Sequence, residues 1–136
     1  MSDVSYEAVE RLLLLIGRFG RAVTQTFDEV SGDPELVTTV PIIFLCTLDL
    51  NGPRRPGELQ ELTALSSGGV SKLLDRMEHA GVVKREYGTV PGDNRGVLVS
   101  ITPRGRRLVR QVTTLLASRL PETRVLLREI TEVLER

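Results

Sequence analysis

Between Ser66 and Gly81 the chain reads Ser-Ser-Gly-Gly-Val-Ser-Lys-Leu-Leu-Asp-Arg-Met-Glu-His-Ala-Gly, and its polar side chains are hydroxyls and charges rather than nucleophile and base pairs. Val70, Leu73, Leu74 and Met77 fall at i, i+3, i+4 and i+7, so they share one face of a helix. The other face carries Gly68, Ser71, Lys72, Asp75, Arg76 and His79. Ser66 or Ser67 would cap this helix and leave backbone N–H groups aimed at an anion. Small hydrogen-bonding residues and cations on one face suit phosphate and base-edge contacts, with Ser67, Ser71, Lys72 and Arg76 as the donors.

Reaction chemistry finds little to use. There is one histidine, one cysteine, no metal-spaced cluster, no phosphate loop and no nucleophile elbow, so neither an enzyme nor a cofactor is expected. Cys46 sits in an apolar segment without basic neighbours and reads as a small packed hydrophobe. A single cysteine excludes an internal disulfide framework and suits a reducing compartment. The apolar run Leu12 to Ile16 is far shorter than the roughly 18 residues that span a bilayer, and no basic-then-apolar leader is present. A soluble cytoplasmic protein without a membrane partner is therefore expected. The 136 residues suit one domain, 1-136, with a net charge of zero. That neutrality is uneven: residues 51 to 107 hold ten basic and six acidic side chains, whereas residues 1 to 50 hold three and eight. A basic middle lets one face approach phosphates while the whole stays neutral.

The elements that must position these groups follow from periodicity and punctuation. Ser5 to Phe27 reads as a long amphipathic helix with Val9, Leu12, Leu13, Ile16, Phe19 and Val23 on its apolar side. A second helix from Thr39, with Pro41 in its first turn, is apolar nearly all round and is expected to be buried, Ile43 and Leu50 included. Asn51-Gly52-Pro53 is a turn, and Arg54-Arg55 a very short strand. Pro56 to Thr63 forms a short helix with Leu59 and Leu62 inward, ahead of the Ser66 helix. Gly81 ends that helix. Val82 to Tyr87 and Gly96 to Ile101 form a hairpin whose tip carries Asp93 and Arg95, and Thr102-Pro103 opens another helix. A short helix, a turn, a second helix and a basic hairpin make a winged helix-turn-helix, whose second helix enters the major groove of double-stranded DNA. Arg54, Arg55 and Lys84 are candidate backbone contacts. Leu116 and Leu120, then Leu126, Leu127, Ile130 and Leu134, add apolar stripes that a small winged module cannot bury, so a homodimer is expected.

With these pieces in order, the chain resembles the multiple-antibiotic-resistance regulator (MarR) family of winged-helix repressors. The resemblance rests on Leu65-Ser66, Ser71 to Glu78, Gly81 to Arg85, Asp93-Asn94-Arg95 and Val99 to Gly105. It implies a mainly α fold with a small β-hairpin wing, in which helices within 1-30 and 108-136 dimerise around a winged core at 36-107. The resemblance also implies that Arg95 enters the minor groove, with Asp93 holding its guanidinium fork. Asn94 departs from the arginine or lysine common there. The function implied is a dimeric sequence-specific DNA-binding transcription regulator, a repressor on a pseudo-palindromic operator, relieved by a small phenolic or lipophilic effector. A winged-helix protein-interaction module without DNA binding is the alternative; the basic helix face and the Asp93/Arg95 pair speak against it.

Overall fold

The computed structural model describes residues 6–33, 36, 38–88 and 96–119, together with 124, 125, 128, 129, 131, 132 and 135. In chain order, helices α1 (Tyr6–Ser31), α2 (Thr39–Asn51), α3 (Pro56–Gln60) and α4 (Ser67–His79) precede strands β1 (Val83–Tyr87) and β2 (Val97–Ile101) and helix α5 (Pro103–Ser118). The strands pair antiparallel with Val83 opposite Ile101, and Arg54 adds a one-residue bridge to Val99. The fold is the expected mainly α winged helix-turn-helix. The core forms where α2, α3, α4 and the base of the hairpin meet, around Phe44, Leu45, Leu48, Leu59, Val70, Leu74, Met77, Val82, Val83 and Val99. Phe27 and Val23 of α1 and Leu108, Val109 and Val112 of α5 close it.

Each helix boundary has a local cause. Ser66 caps α4 by accepting the Gly69 N–H at 3.1 Å, and Thr102 caps α5 by accepting the Gly105 N–H at 3.0 Å. At the far end of α4, Gly81 takes φ 77°, its N–H reaches the Glu78 carbonyl at 2.9 Å, and the Val82 N–H reaches Met77 at 3.1 Å. This paired closure needs a left-handed residue, which glycine supplies without strain, and it buries Val82 against Met77. The Thr102 hydroxyl then donates to the Gly81 carbonyl at 2.6 Å, tying the start of α5 to the end of α4.

Three burial expectations change. Ile43 and Leu50 of α2 are exposed, because α1 and α5 cover only part of that apolar cylinder. Leu62 is exposed too, since α3 ends at Gln60 and the following turn carries it off the inward face. In α1 the C-terminal part packs through Val23, Thr26 and Phe27, while Leu13, Leu14 and Ile16 stand 63%, 68% and 54% exposed. Within α1, a Cβ placed at Gly17 or Gly20 would meet nothing within 4 Å among the described residues.

Gly105 is the most closely packed of the described glycines. A Cβ there would lie 2.2 Å from the Val82 carbonyl oxygen and 2.7 Å from Ile101 Cγ1. Alanine would gain about 1 kcal/mol of helix propensity, but a clash with backbone cannot be relieved by turning a side chain. Gly105→Ala is therefore expected to destabilise the protein by about 1–3 kcal/mol, read as a lower urea midpoint at unchanged m-value.

Candidate nucleic-acid interface

Helix α4 buries Val70, Leu73, Leu74 and Met77 and turns Ser67, Gly68, Ser71, Lys72, Asp75 and Arg76 to solvent. Lys72 and Arg76 form no ion pair among the described residues, so their charge is free to meet a ligand. Ser66 is the cap, which leaves the N–H groups of Ser67 and Gly68 at the open end of the helix. No intramolecular packing requires glycine at 68: a Cβ there would come no closer than 3.9 Å to Ser66 Oγ. The bare backbone at this end instead permits close approach from outside.

The other predicted contacts fall around this helix in different states. Arg55 is exposed at the start of α3, where its backbone N–H donates to Glu58 Oε1 at 3.0 Å. Arg54 is half-buried and folds back on its own turn, donating to the Pro53 carbonyl at 2.8 Å. Lys84 points outward from β1 and pairs with Glu86 at 2.9 Å. Asp93 and Arg95 lie outside the described residues. So do Leu120, Leu126, Leu127, Ile130 and Leu134 of the expected dimer surface. Of its remaining members, Leu13 and Ile16 are exposed, Leu12 is half-buried, and Leu116 packs on this chain's own core.

One residue of the site was missed as such in the sequence. Arg85 is nearly buried between α4 and β1, its side chain 16% exposed, with Nη2 donating to Asp75 and, at 3.2 Å, to Glu78 Oε1. Its backbone N–H also donates to Glu78 Oε2 at 2.9 Å. The hydrogen bonds from the Arg85 side chain and then its backbone hold the Glu78 carboxyl below its ordinary range, and Arg85 is raised in turn, first by Glu78. The available signal was strand alternation: Arg85 shares the inward side of β1 with Val83, next to a helix bearing two acids.

Behind the reading face, an open apolar cleft of about 430 Å³ separates α1, α2 and α5. Phe19, Val23, Ile42, Cys46, Val112 and Leu116 line it, and among the described residues no charged side chain does. Burial, then the nearby Asp49, pushes the Cys46 thiol up, the opposite of an activated thiolate. Among the described residues no group of histidine, cysteine and carboxylates could hold a metal ion, and no helix is long and apolar enough to cross a membrane.

No family model matches the chain. Over 102 residues it is 29% identical to the multiple antibiotic resistance protein MarR of Salmonella typhimurium, covering 73% of this chain and 69% of that protein. A mutant MarR from E. coli, solved in complex with operator DNA, superposes with a TM-score of 0.63 at 27% identity, over 90% of this chain and 84% of that one. BpsR of Bordetella bronchiseptica, whose DNA binding is regulated by 6-hydroxynicotinic acid, has a TM-score of 0.60 at 26% identity, over 81% of this chain and 75% of that one.

Because the folded Glu78 carboxyl titrates below its unfolded value, its bonds to Arg85 stabilise the fold fully above the ordinary carboxylate range. That contribution fades as pH falls through the lowered value. Wild type should exceed Glu78→Gln in stability at neutral pH, and the gap should narrow in urea melts as pH is taken down through and below the ordinary carboxylate range.

Proposed function

We propose that this chain, a winged helix-turn-helix transcription regulator of the MarR family, works as a homodimeric repressor that sets α4 in the major groove of a pseudo-palindromic operator. The observation that carries this reading is α4 itself: a capped, open N-terminus followed by Ser71, Lys72 and Arg76, all exposed and unpaired by carboxylates among the described residues. Backbone N–H groups and cations hold phosphates and fix the register, while the serines and Arg76 reach base edges. Arg55 and Lys84 extend the phosphate contacts from either side of the helix. Arg95 at the wing tip enters the adjacent minor groove, whose narrow form concentrates negative potential, and Asp93 orients it.

A second copy is the simplest cover for Leu13, Leu14 and Ile16, whose exposure on one helix would otherwise hold a continuous apolar strip in water. Helices within 1-30 and 108-136 would build that interface, and 36-107 the reading core. A two-fold axis through it places two α4 helices on half-sites about 34–36 Å apart. The cleft behind α2 suits a small uncharged phenolic or lipophilic molecule, because its lining offers no cation for a carboxylate. Such an effector would switch the protein only by binding the DNA-competent and incompetent dimers unequally.

Selection of bound genomic fragments tests the whole reading, and the fragments recovered then serve for titration. Arg95→Ala should weaken binding at least about tenfold with the dimer still folded; unchanged anisotropy titrations at fixed salt would remove the wing from the interface. Affinity should also fall steeply with salt, since several phosphates are neutralised, and a flat slope would argue against DNA as the ligand. Leu14→Glu should shift the sedimentation mass from dimer toward monomer, because it places a charge in the apolar seam.

A further inference from the structure

Helix α4 carries acids on the face that would meet a polyanion. Asp75 stands one turn beyond Ser71 on the same outward stripe as Lys72, with its side chain 62% exposed, and Glu78 follows a turn later, 40% exposed. Left alone, two carboxylates there would repel phosphates and offset what Lys72 and Arg76 contribute. They are not left alone: one guanidinium nitrogen of Arg85 serves both, and the Glu78 carboxylate also takes the Arg85 backbone N–H. Arg85 reaches them from β1, behind the reading face, where its buried Nε has no partner among the described residues. The cation is thus withdrawn from DNA and committed to the acids. Besides tying α4 to β1, this arrangement sets a cation against the two carboxylates on the side away from the reading face.

Resting on the DNA-binding reading above, we propose that Arg85 is a positioning residue acting through Asp75 and Glu78: it draws both carboxylates back toward β1 and screens them from the phosphates of bound DNA. One positive charge against two negative leaves the cluster with a residual negative charge, so affinity should track the charge of the cluster and not merely the presence of Arg85.

Anisotropy titrations at one salt concentration, with a genomic fragment selected by the wild type and a random duplex of equal length, test this. Arg85→Met leaves both carboxylates unscreened and is expected to weaken binding to the selected fragment at least about tenfold. Adding Asp75→Asn and Glu78→Gln to Arg85→Met removes the charge that needed screening, and affinity should return to within about threefold of wild type. Asp75→Asn alone keeps the Glu78–Arg85 bonds, so it does not depend on how well the Arg85 variant folds, and it should tighten binding to the random duplex about threefold. A purely structural role for Arg85 predicts no rescue in the triple variant, and that result would overturn the proposal. So would Arg85→Met binding like wild type, or Asp75→Asn leaving the random duplex unchanged or weaker. If the wild type binds no fragment, the DNA-binding reading falls and this proposal with it; if the wild type binds and the variants fail the pattern, only the screening role falls.

Discussion

A few atoms at the junction of α4, the hairpin and α5 constrain the rest of this molecule. The Val82 carbonyl accepts the Thr102 N–H at 3.1 Å and leaves no room for a side chain at Gly105, while the Thr102 hydroxyl bonds the Gly81 carbonyl at 2.6 Å and caps α5 through the Gly105 N–H. Three elements therefore end or begin within one hydrogen-bonded knot. The direction in which α4 leaves the core, the base of the two-stranded wing and the path of α5 toward α1 are fixed together. Such a junction behaves as a unit, because moving any of the three breaks bonds belonging to the others.

From that knot the charges of the reading head sort themselves. Exposed ion pairs usually contribute at most about 1 kcal/mol, and the pair between Lys84 and Glu86 belongs in that class. The Arg85 cluster differs in that its guanidinium is largely withdrawn from water and spans two elements, so it ties the last turns of α4 to the first strand. Within α4 the consequence is a division by sign: the acids are occupied, and Lys72 and Arg76 form no ion pair among the described residues. A chain with no net charge can thereby present a locally basic surface, which the overall balance conceals.

At the opposite end, α1 does two jobs along one helix. Its C-terminal turns close the core through Val23 and Phe27, and Arg119, just past α5, donates to Thr26 Oγ1 at 3.1 Å and Glu29 Oε2 at 2.7 Å to hold them there. Its N-terminal turns project apolar side chains into solvent. A rigid helix of about 39 Å that is anchored at one end and apolar at the other links any interface at its free end mechanically to the core. The apolar cleft lies beside this helix, between α2 and α5, where an occupant would touch the elements on both sides.

How much of this was legible depends on whether the cause was local. The inward face of α4, the caps at Ser66 and Thr102, the stop at Gly81 and the bridge at Arg54 were readable because each is decided within a few residues, by helix periodicity, one side-chain hydrogen bond or one positive φ. Those local signs together determined the winged helix-turn-helix and the candidate reading helix. Periodicity says which side of a helix is apolar but not how far neighbours cover it, so the exposure of Ile43, Leu50 and Leu62 waited for the packing of α1 and α5 and the short span of α3. The clamp of Arg85 on Asp75 and Glu78 joins residues ten and seven positions apart across a turn, a spacing with no period in the sequence. Gly105 reads as an ordinary residue of a first helical turn until the Val82 carbonyl is seen against it. What each segment can form by itself is decided by its own residues; close approach and charge pairing between segments exist only once the chain has brought them together.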